Sequence, residues 1–199
     1  MDKTGITIIV LLVIAAIFFS GCTSPSLSPA QTPVSSTTDT GFNHLLLSAE
    51  DLPLGLVRAV DGPMLASDIT NTMRNYDFLK GHRALYADTI PLTDKSKVME
   101  QDIMLFNGAN ASAMLDEHKK SLMAMNTQNI VALPLPDPNL GEKSFTIKIS
   151  TVGSTGAETH HYVFGFVQSG MYEVISMEGT PETYPALLHI AERAAAKAR

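Results

Sequence analysis

The chain has 199 residues, a formal net charge of −6 and a single cysteine. This acidic balance argues against a nucleic-acid-binding protein, because such proteins cluster Lys and Arg against the phosphate backbone. One cysteine can form neither an intramolecular disulfide nor a thiolate cluster for a metal, so the folded part must be stabilised by its apolar core.

The N-terminus has the pattern of a secretory signal. Its apolar run, residues 6–19, is shorter than the roughly 20 residues of a membrane span and matches the apolar region of a signal peptide. The following residues Phe19-Ser20-Gly21-Cys22 resemble the lipobox of prokaryotic lipoproteins. That resemblance implies cleavage before Cys22 and a lipid on its sulfur, which would hold the protein on the outer face of the membrane or in the cell envelope. The alternative is an uncut anchor helix over 5–22, with the same topology.

The next segment, residues 22–42, reads as a tether. Thirteen of the twenty residues after Cys22 are Ser, Thr or Pro, and such a composition cannot bury enough apolar surface to fold. We therefore predict a signal peptide over 1–21, a Ser/Thr/Pro-rich tether over 22–42 and one extracytoplasmic domain over 43–199.

The predicted domain begins with a single helical turn, capped by Ser48 and closed by Pro53. Apolar runs and alternation predict strands, whereas 61–80 shows no clear pattern. The candidate strands are 55–60, 83–90, 98–106, 130–133, 145–150, 162–167 and 171–177. The segment 145–150 alternates most regularly and is expected to be half-buried. Residues 151–159 read as a flexible loop.

Helical spacing predicts two main helices, at about 110–125 and 181–198. Thr180 is expected to cap the second helix, with Pro181 at its first position. The order of elements predicts an α+β fold with a single antiparallel sheet of about five or six strands packed by these two helices.

The domain also resembles small extracytoplasmic lipoproteins and receptor-kinase sensor domains over about residues 45–198. The resemblance lies in the opening at 46–53, the helix start at 107–111, the strand start at 140–144, a final hairpin and a C-terminal helix. It implies an antiparallel sheet packed by two helices, and it implies no catalytic residue.

Several motifs suggest chemistry, but each has a simpler interpretation. His160 and His161 are adjacent in a predicted strand and should point to opposite faces, so they are unlike a metal site. The methionines fall at core positions, although a Met-rich wall would also suit an adaptable pocket. Residues 137–142 resemble only the start of a calcium loop and read better as a proline-stiffened turn. Asn110-Ala111-Ser112 is a glycosylation sequon, for which a helix-capping role of Asn110 is favoured.

The sequence therefore predicts a non-enzymatic binding or interaction domain with no cofactor, no metal and no catalytic residue. Cys22 is the lipid-attachment residue, and Asn110 is the candidate glycosylation acceptor. The expected partners are membrane lipid through Cys22 and either a small apolar or amphipathic ligand or another envelope protein. One alternative is an envelope hydrolase, which requires a nucleophile within hydrogen-bond reach of His118, His160 or His189 in one cleft. A second is a structural lipoprotein without a deep pocket.

Overall fold

The computed structural model describes residues 41–52, 55–93, 96–153 and 155–199. The signal peptide, Cys22 and nearly all of the predicted tether lie outside these residues. Phe42, the last residue of that tether, is buried in the core, so the folded part begins before residue 43.

Seven antiparallel strands form one sheet with the order β1-β2-β3-β7-β6-β5-β4. The strands are β1 Val57–Pro63, β2 Phe78–Ala87, β3 Val98–Phe106, β4 Ile130–Leu135, β5 Lys143–Val152, β6 Glu158–Gln168 and β7 Met171–Gly179. The described helices are α1 Asn71–Asn75, α2 Asn110–Met123 and α3 Tyr184–Lys197. The prediction of an α+β fold with one antiparallel sheet is confirmed, whereas the predicted count of five or six strands is wrong.

The two edge strands, β1 and β4, carry irregular patterns. The register of β1 shifts between Arg58 and Val60, which breaks its alternation. Strand β4 continues through Pro134, which lies opposite Ile147 of β5, whereas the predicted strand ends at residue 133. A proline is tolerated there because an edge strand leaves one row of its backbone groups outside the ladder.

Both faces of the sheet are covered. On one side, the α3 face, α3 and the segment before β1 pack on residues such as Tyr86 and Phe164. On the other side, the α2 face, α2 packs on residues such as Met104 and Ile147. Burial on both faces makes the half-buried prediction for β5 wrong, since Thr146 on its polar side is also buried.

Local turns differ from the sequence predictions in three places. Helix α3 begins at Tyr184 rather than 181, because Thr183 Oγ1 accepts the Thr180 N–H at 2.8 Å and holds the preceding residues in a turn. Ser48 does not cap a helix; its N–H and hydroxyl both donate to Asp51 Oδ2, at 2.8 and 2.6 Å. The predicted loop at 151–159 is shorter than expected, because β5 runs to Val152 and β6 begins at Glu158.

The hairpin between β6 and β7 is confirmed. Its two turn residues, Ser169 and Gly170, have φ angles of 52° and 76°, which suits the tight turn that matches the twist of a hairpin. The hairpin places β7 in the middle of the sheet, beside β3. The end of β7 then leads directly to the start of α3.

Candidate functional site

His160 and His161 point to opposite faces of the sheet. His160 Nδ1 lies 2.9 Å from the Ser150 hydroxyl of β5, whereas His161 Nε2 lies 3.8 Å from Glu178 of β7 on the α2 face. Burial lowers the pKa of His161 to about 4. The two imidazoles therefore do not converge on one position. Among the described residues, no group of three or more His, Asp or Glu side chains is arranged to hold a metal ion.

The Ser150 hydroxyl lies within hydrogen-bond reach of His160. A contact of this kind is what the hydrolase alternative requires. Glu158 Oε1, however, approaches the same ring nitrogen, Nδ1, at 3.5 Å. In a Ser-His-acid triad the serine contacts one ring nitrogen and the acid contacts the other, because the proton is passed through the ring. Ser150, His160 and Glu158 therefore do not form that arrangement, and Ser150 is also buried.

The other two histidines named for a hydrolase have ordinary surroundings. His118 Nδ1 contacts the Tyr172 hydroxyl inside the α2-face core, and burial lowers the pKa of His118 to about 4. His189 lies on the exposed side of α3 with Glu192 one turn away, 3.3 Å from its Nδ1. Neither contact brings a serine to the imidazole.

Asn110 is the first residue of α2 rather than its cap. The N-cap is Ala109, which makes no side-chain hydrogen bond, so the predicted capping role of Asn110 is wrong. Its Nδ2 instead donates to Asp77 Oδ2 at 3.0 Å. The glycosylation sequon at Asn110 stays a prediction.

The loop at 137–142 uses its own carboxylate internally. Asp137 Oδ1 accepts the Asn139 N–H at 2.9 Å and the Ser144 hydroxyl. These contacts are those of an Asx turn, in which the side chain stabilises the backbone two residues on. They agree with the interpretation of this segment as a stiff turn.

A charged cluster that the sequence analysis did not detect lies on the α2 face. The Arg83 guanidinium makes paired hydrogen bonds to Asp102, both at 2.8 Å, and contacts Glu100 at 2.7 Å and Asp68 at 3.7 Å. Burial and the neighbouring Asp102 raise the pKa of Glu100 to about 7, although Arg83 opposes the shift. Burial also raises the pKa of Asp102, against the hydrogen bonds from Arg83. All three carboxylates of the cluster contact Arg83, which is its one cation.

A cavity of about 390 Å³ lies on the α3 face, beyond the end of β7. Four separate parts of the chain meet there: the segment before β1, both sides of the β2–β3 hairpin, the end of β7 and the start of α3. The lining residues are Gly55, Leu56, Asp88, Lys97, Met177, Glu178, Gly179, Thr180, Thr183, Ala186 and Leu187. Its size falls in the lower part of the range of about 300–1,000 Å³ that is usual for ligand pockets.

Gly179, at the end of β7, lies close to the start of α3 at this cavity. A Cβ atom at this position would lie 2.8 Å from a Leu187 methyl carbon and 2.8 Å from Thr183 Oγ1. The absence of a side chain lets the start of α3 approach the end of β7. The lining includes the apolar residues Leu56, Met177 and Leu187, together with three charged residues.

Comparison with solved structures finds chains of similar fold. The extracellular domain of PknH from Mycobacterium tuberculosis superposes with a TM-score of 0.58 at 10% sequence identity, covering 80% of this chain and 97% of that domain. At this identity the likeness shows the fold alone. No protein-family profile matches the chain, and no curated protein matches it.

The fold is therefore similar to that of an extracellular domain of a mycobacterial receptor kinase. This agrees with the antiparallel sheet packed by helices that the resemblance to sensor domains implied. In the part of the chain that the structure describes, no helix is long and apolar enough to span a membrane.

Proposed function

We propose that this protein is a membrane-anchored extracytoplasmic lipoprotein whose domain binds a small apolar or amphipathic ligand and acts without catalysis, as a sensor-like module. The cavity between β7 and α3 carries the proposal, because concave apolar sites with a few polar groups are the usual form of ligand pockets. The fold of the PknH extracellular domain supports a sensor-like role. A cavity of this size also distinguishes the proposal from a structural lipoprotein with a featureless surface.

Native mass spectrometry of the protein after mild extraction from its own cells tests the binding function. We expect a mass above that of the processed chain, lost when the protein is unfolded. The matched variant is Ala186→Phe, because Ala186 lines the cavity from an exposed position and a phenyl ring there would take up part of its volume. A ligand-free mass for both proteins would contradict the proposal, as would an extra mass that Ala186→Phe leaves unchanged.

The anchor is tested separately through Cys22. Cys22→Ala removes the only thiol of the chain, and a thiolate is the nucleophile that lipid attachment requires. We expect loss of fatty-acid labelling and release of the protein from membranes, whereas Ser20→Ala, two residues away, should keep both. Unchanged labelling and membrane retention in Cys22→Ala would contradict a lipid anchor and favour the uncut helix.

A further inference from the structure

The charged residues that line the cavity differ in whether their side chains already contact other groups of the protein. Asp88 Oδ1 accepts the Lys97 N–H at 3.0 Å and lies 3.3 Å from the Thr89 hydroxyl. This carboxylate therefore contacts groups of the loop between β2 and β3, to which Asp88 itself belongs. Glu178 faces His161 on the opposite side of the sheet. Both acids of the lining therefore already contact other groups of the protein.

Lys97 is the remaining charged residue of the lining. Lys97 is exposed, and its ammonium forms no ion pair with any of the described residues. An ammonium beside an apolar cavity attracts an anion more strongly than it does in open water, because the walls lower the local dielectric. The cavity thus has apolar lining residues and one lysine that can pair with an anionic ligand.

We infer that the cavity accepts an apolar chain that ends in an anionic group, with Lys97 pairing the anion at the mouth and Leu56, Met177 and Leu187 surrounding the chain. The inference rests on the proposed function, since it names the ligand class of the same cavity. Both a free carboxylate, as in a fatty acid, and a phosphate, as in a lipid headgroup, have this chemistry. Octanoate and octyl phosphate, which differ only in this head group, distinguish the two.

Isothermal titration calorimetry tests the inference with four probes that share one chain: octanoate, octyl phosphate, octanol and octylamine. The protein is the chain from residue 22 onward with Cys22→Ser, which retains both cores and every described residue. We expect the two anions to bind at least tenfold more tightly than octanol, and octylamine to bind least. The tighter of the two anions identifies the head group. From butanoate to octanoate, affinity should rise about fourfold for each added methylene that is buried.

Three variants assign the binding to this cavity. Lys97→Met keeps the apolar stem and should weaken the anions at least tenfold while leaving octanol within twofold. Lys97→Arg should restore anion binding, and Ala186→Phe should abolish binding of every probe. Lys119→Met removes an exposed lysine on α2 and is the control, with affinities expected to match the parent protein.

Equal affinities for octanoate and octanol, with no effect of Lys97→Met, would overturn the anionic head group while leaving the cavity as a ligand site. Tighter binding of octylamine would overturn it in the same way. If no probe binds, the ligand class is wrong, and the cell-derived mass described above decides independently whether the proposed function also fails.

Discussion

The side-chain amide of Gln101 donates a hydrogen bond to Glu173 Oε1 at 2.6 Å, between the adjacent strands β3 and β7. The same amide donates to the Leu45 carbonyl at 3.2 Å, and Gln101 Oε1 accepts from the Leu47 N–H at 3.1 Å and the Tyr86 hydroxyl at 2.7 Å. One buried side chain thus attaches the segment before β1 to the sheet. It satisfies backbone groups that would otherwise be buried without partners.

Glu173 makes the stability of the domain depend on pH. Burial raises the pKa of Glu173 to about 8 from an ordinary value of 4.5, although the bond from Gln101 opposes the shift. Between these two values the folded state holds a proton that the unfolded state has released. The free energy of unfolding should therefore fall as the pH rises through this window, by at most about 1.4 kcal/mol per pH unit from this group.

Glu173→Gln should remove that part of the pH dependence, because glutamine keeps an oxygen acceptor for Gln101 but does not titrate. We expect its melting temperature to exceed that of the parent protein at about pH 8 and to approach it at about pH 5. Circular dichroism melts across this range give the measurement. Glu192→Gln, at an exposed position on α3, is the control, and parallel pH profiles for the parent protein and Glu173→Gln would refute the prediction.

Arg83→Met should destabilise the domain most strongly above neutral pH. It leaves Glu100 and Asp102 without their cation while both are largely buried. We expect a loss of about 2–4 kcal/mol near pH 8, below the full cost of a buried pair because Arg83 is partly exposed. Near pH 5 the loss should shrink, because Glu100, with its pKa raised to about 7, is protonated there.

Urea denaturation at the two pH values measures this difference. Arg193→Met removes an exposed arginine of α3 and should change the free energy of unfolding little at either pH. A loss for Arg83→Met that is the same at both pH values would show that packing of the arginine stem, rather than charge, is responsible.

Thr146→Val should stabilise the protein. The Thr146 hydroxyl is buried and has no hydrogen-bond partner among the residues that the structure describes. Valine has nearly the same shape and removes the cost of burying that hydroxyl, so we expect a gain of about 1 kcal/mol in the free energy of unfolding.

The matched change is Thr151→Val on the same strand. The Thr151 hydroxyl bonds the Thr159 hydroxyl at 2.6 Å, so this substitution should instead destabilise by about 1 kcal/mol. Urea denaturation of both variants gives the comparison. Shifts of the same sign in the two proteins would count against the assignment of the Thr146 hydroxyl as an unsatisfied group.

Gly165→Ala should destabilise the α2-face core. A Cβ atom at residue 165 would lie 2.5 and 2.7 Å from two ring carbons of Phe145, which is directly opposite on β5. The ring is held between strand and helix by an edge contact with His118, so it has little room to move. Overpacking of this kind costs about 1–3 kcal/mol.

Gly62→Ala is the control for the same substitution, because nothing lies within 4 Å of the added carbon. Thermal melts should show a lowered midpoint for Gly165→Ala and little change for Gly62→Ala. Equal midpoints for Gly165→Ala and the parent protein would mean that Phe145 can move aside.

The elements that could be predicted from the sequence are those with polar or turn-forming residues directly at their ends. The bounds of β3 agree with the predicted strand 98–106, because polar residues precede it and Asn107-Gly108 follow it. The hairpin at Ser169-Gly170 was predicted for the same reason. Strand β4 was predicted too short because Pro134 was read as an ending, and only its position at the sheet edge makes the proline acceptable.

The candidate site could not be predicted in the same way. Its cavity joins four segments, and the distance in sequence from Leu56 to Leu187 leaves no local pattern for their meeting. Arg83 and Asp102 likewise become neighbours only through the register of β2 and β3. What could have been noticed is that Arg83, Glu100 and Asp102 are charged residues inside apolar strands, where a charge needs a partner.

Phe42 packs near the beginning of β2, with its ring 6.1 Å from that of His82 and 4.9 Å from the Lys80 ammonium. The cavity lies just past the other end of the same strand, at Asp88. The six residue steps from His82 to Asp88 span roughly 20 Å in extended backbone. The folded part therefore begins near one end of β2, and the cavity lies near the other end of that strand.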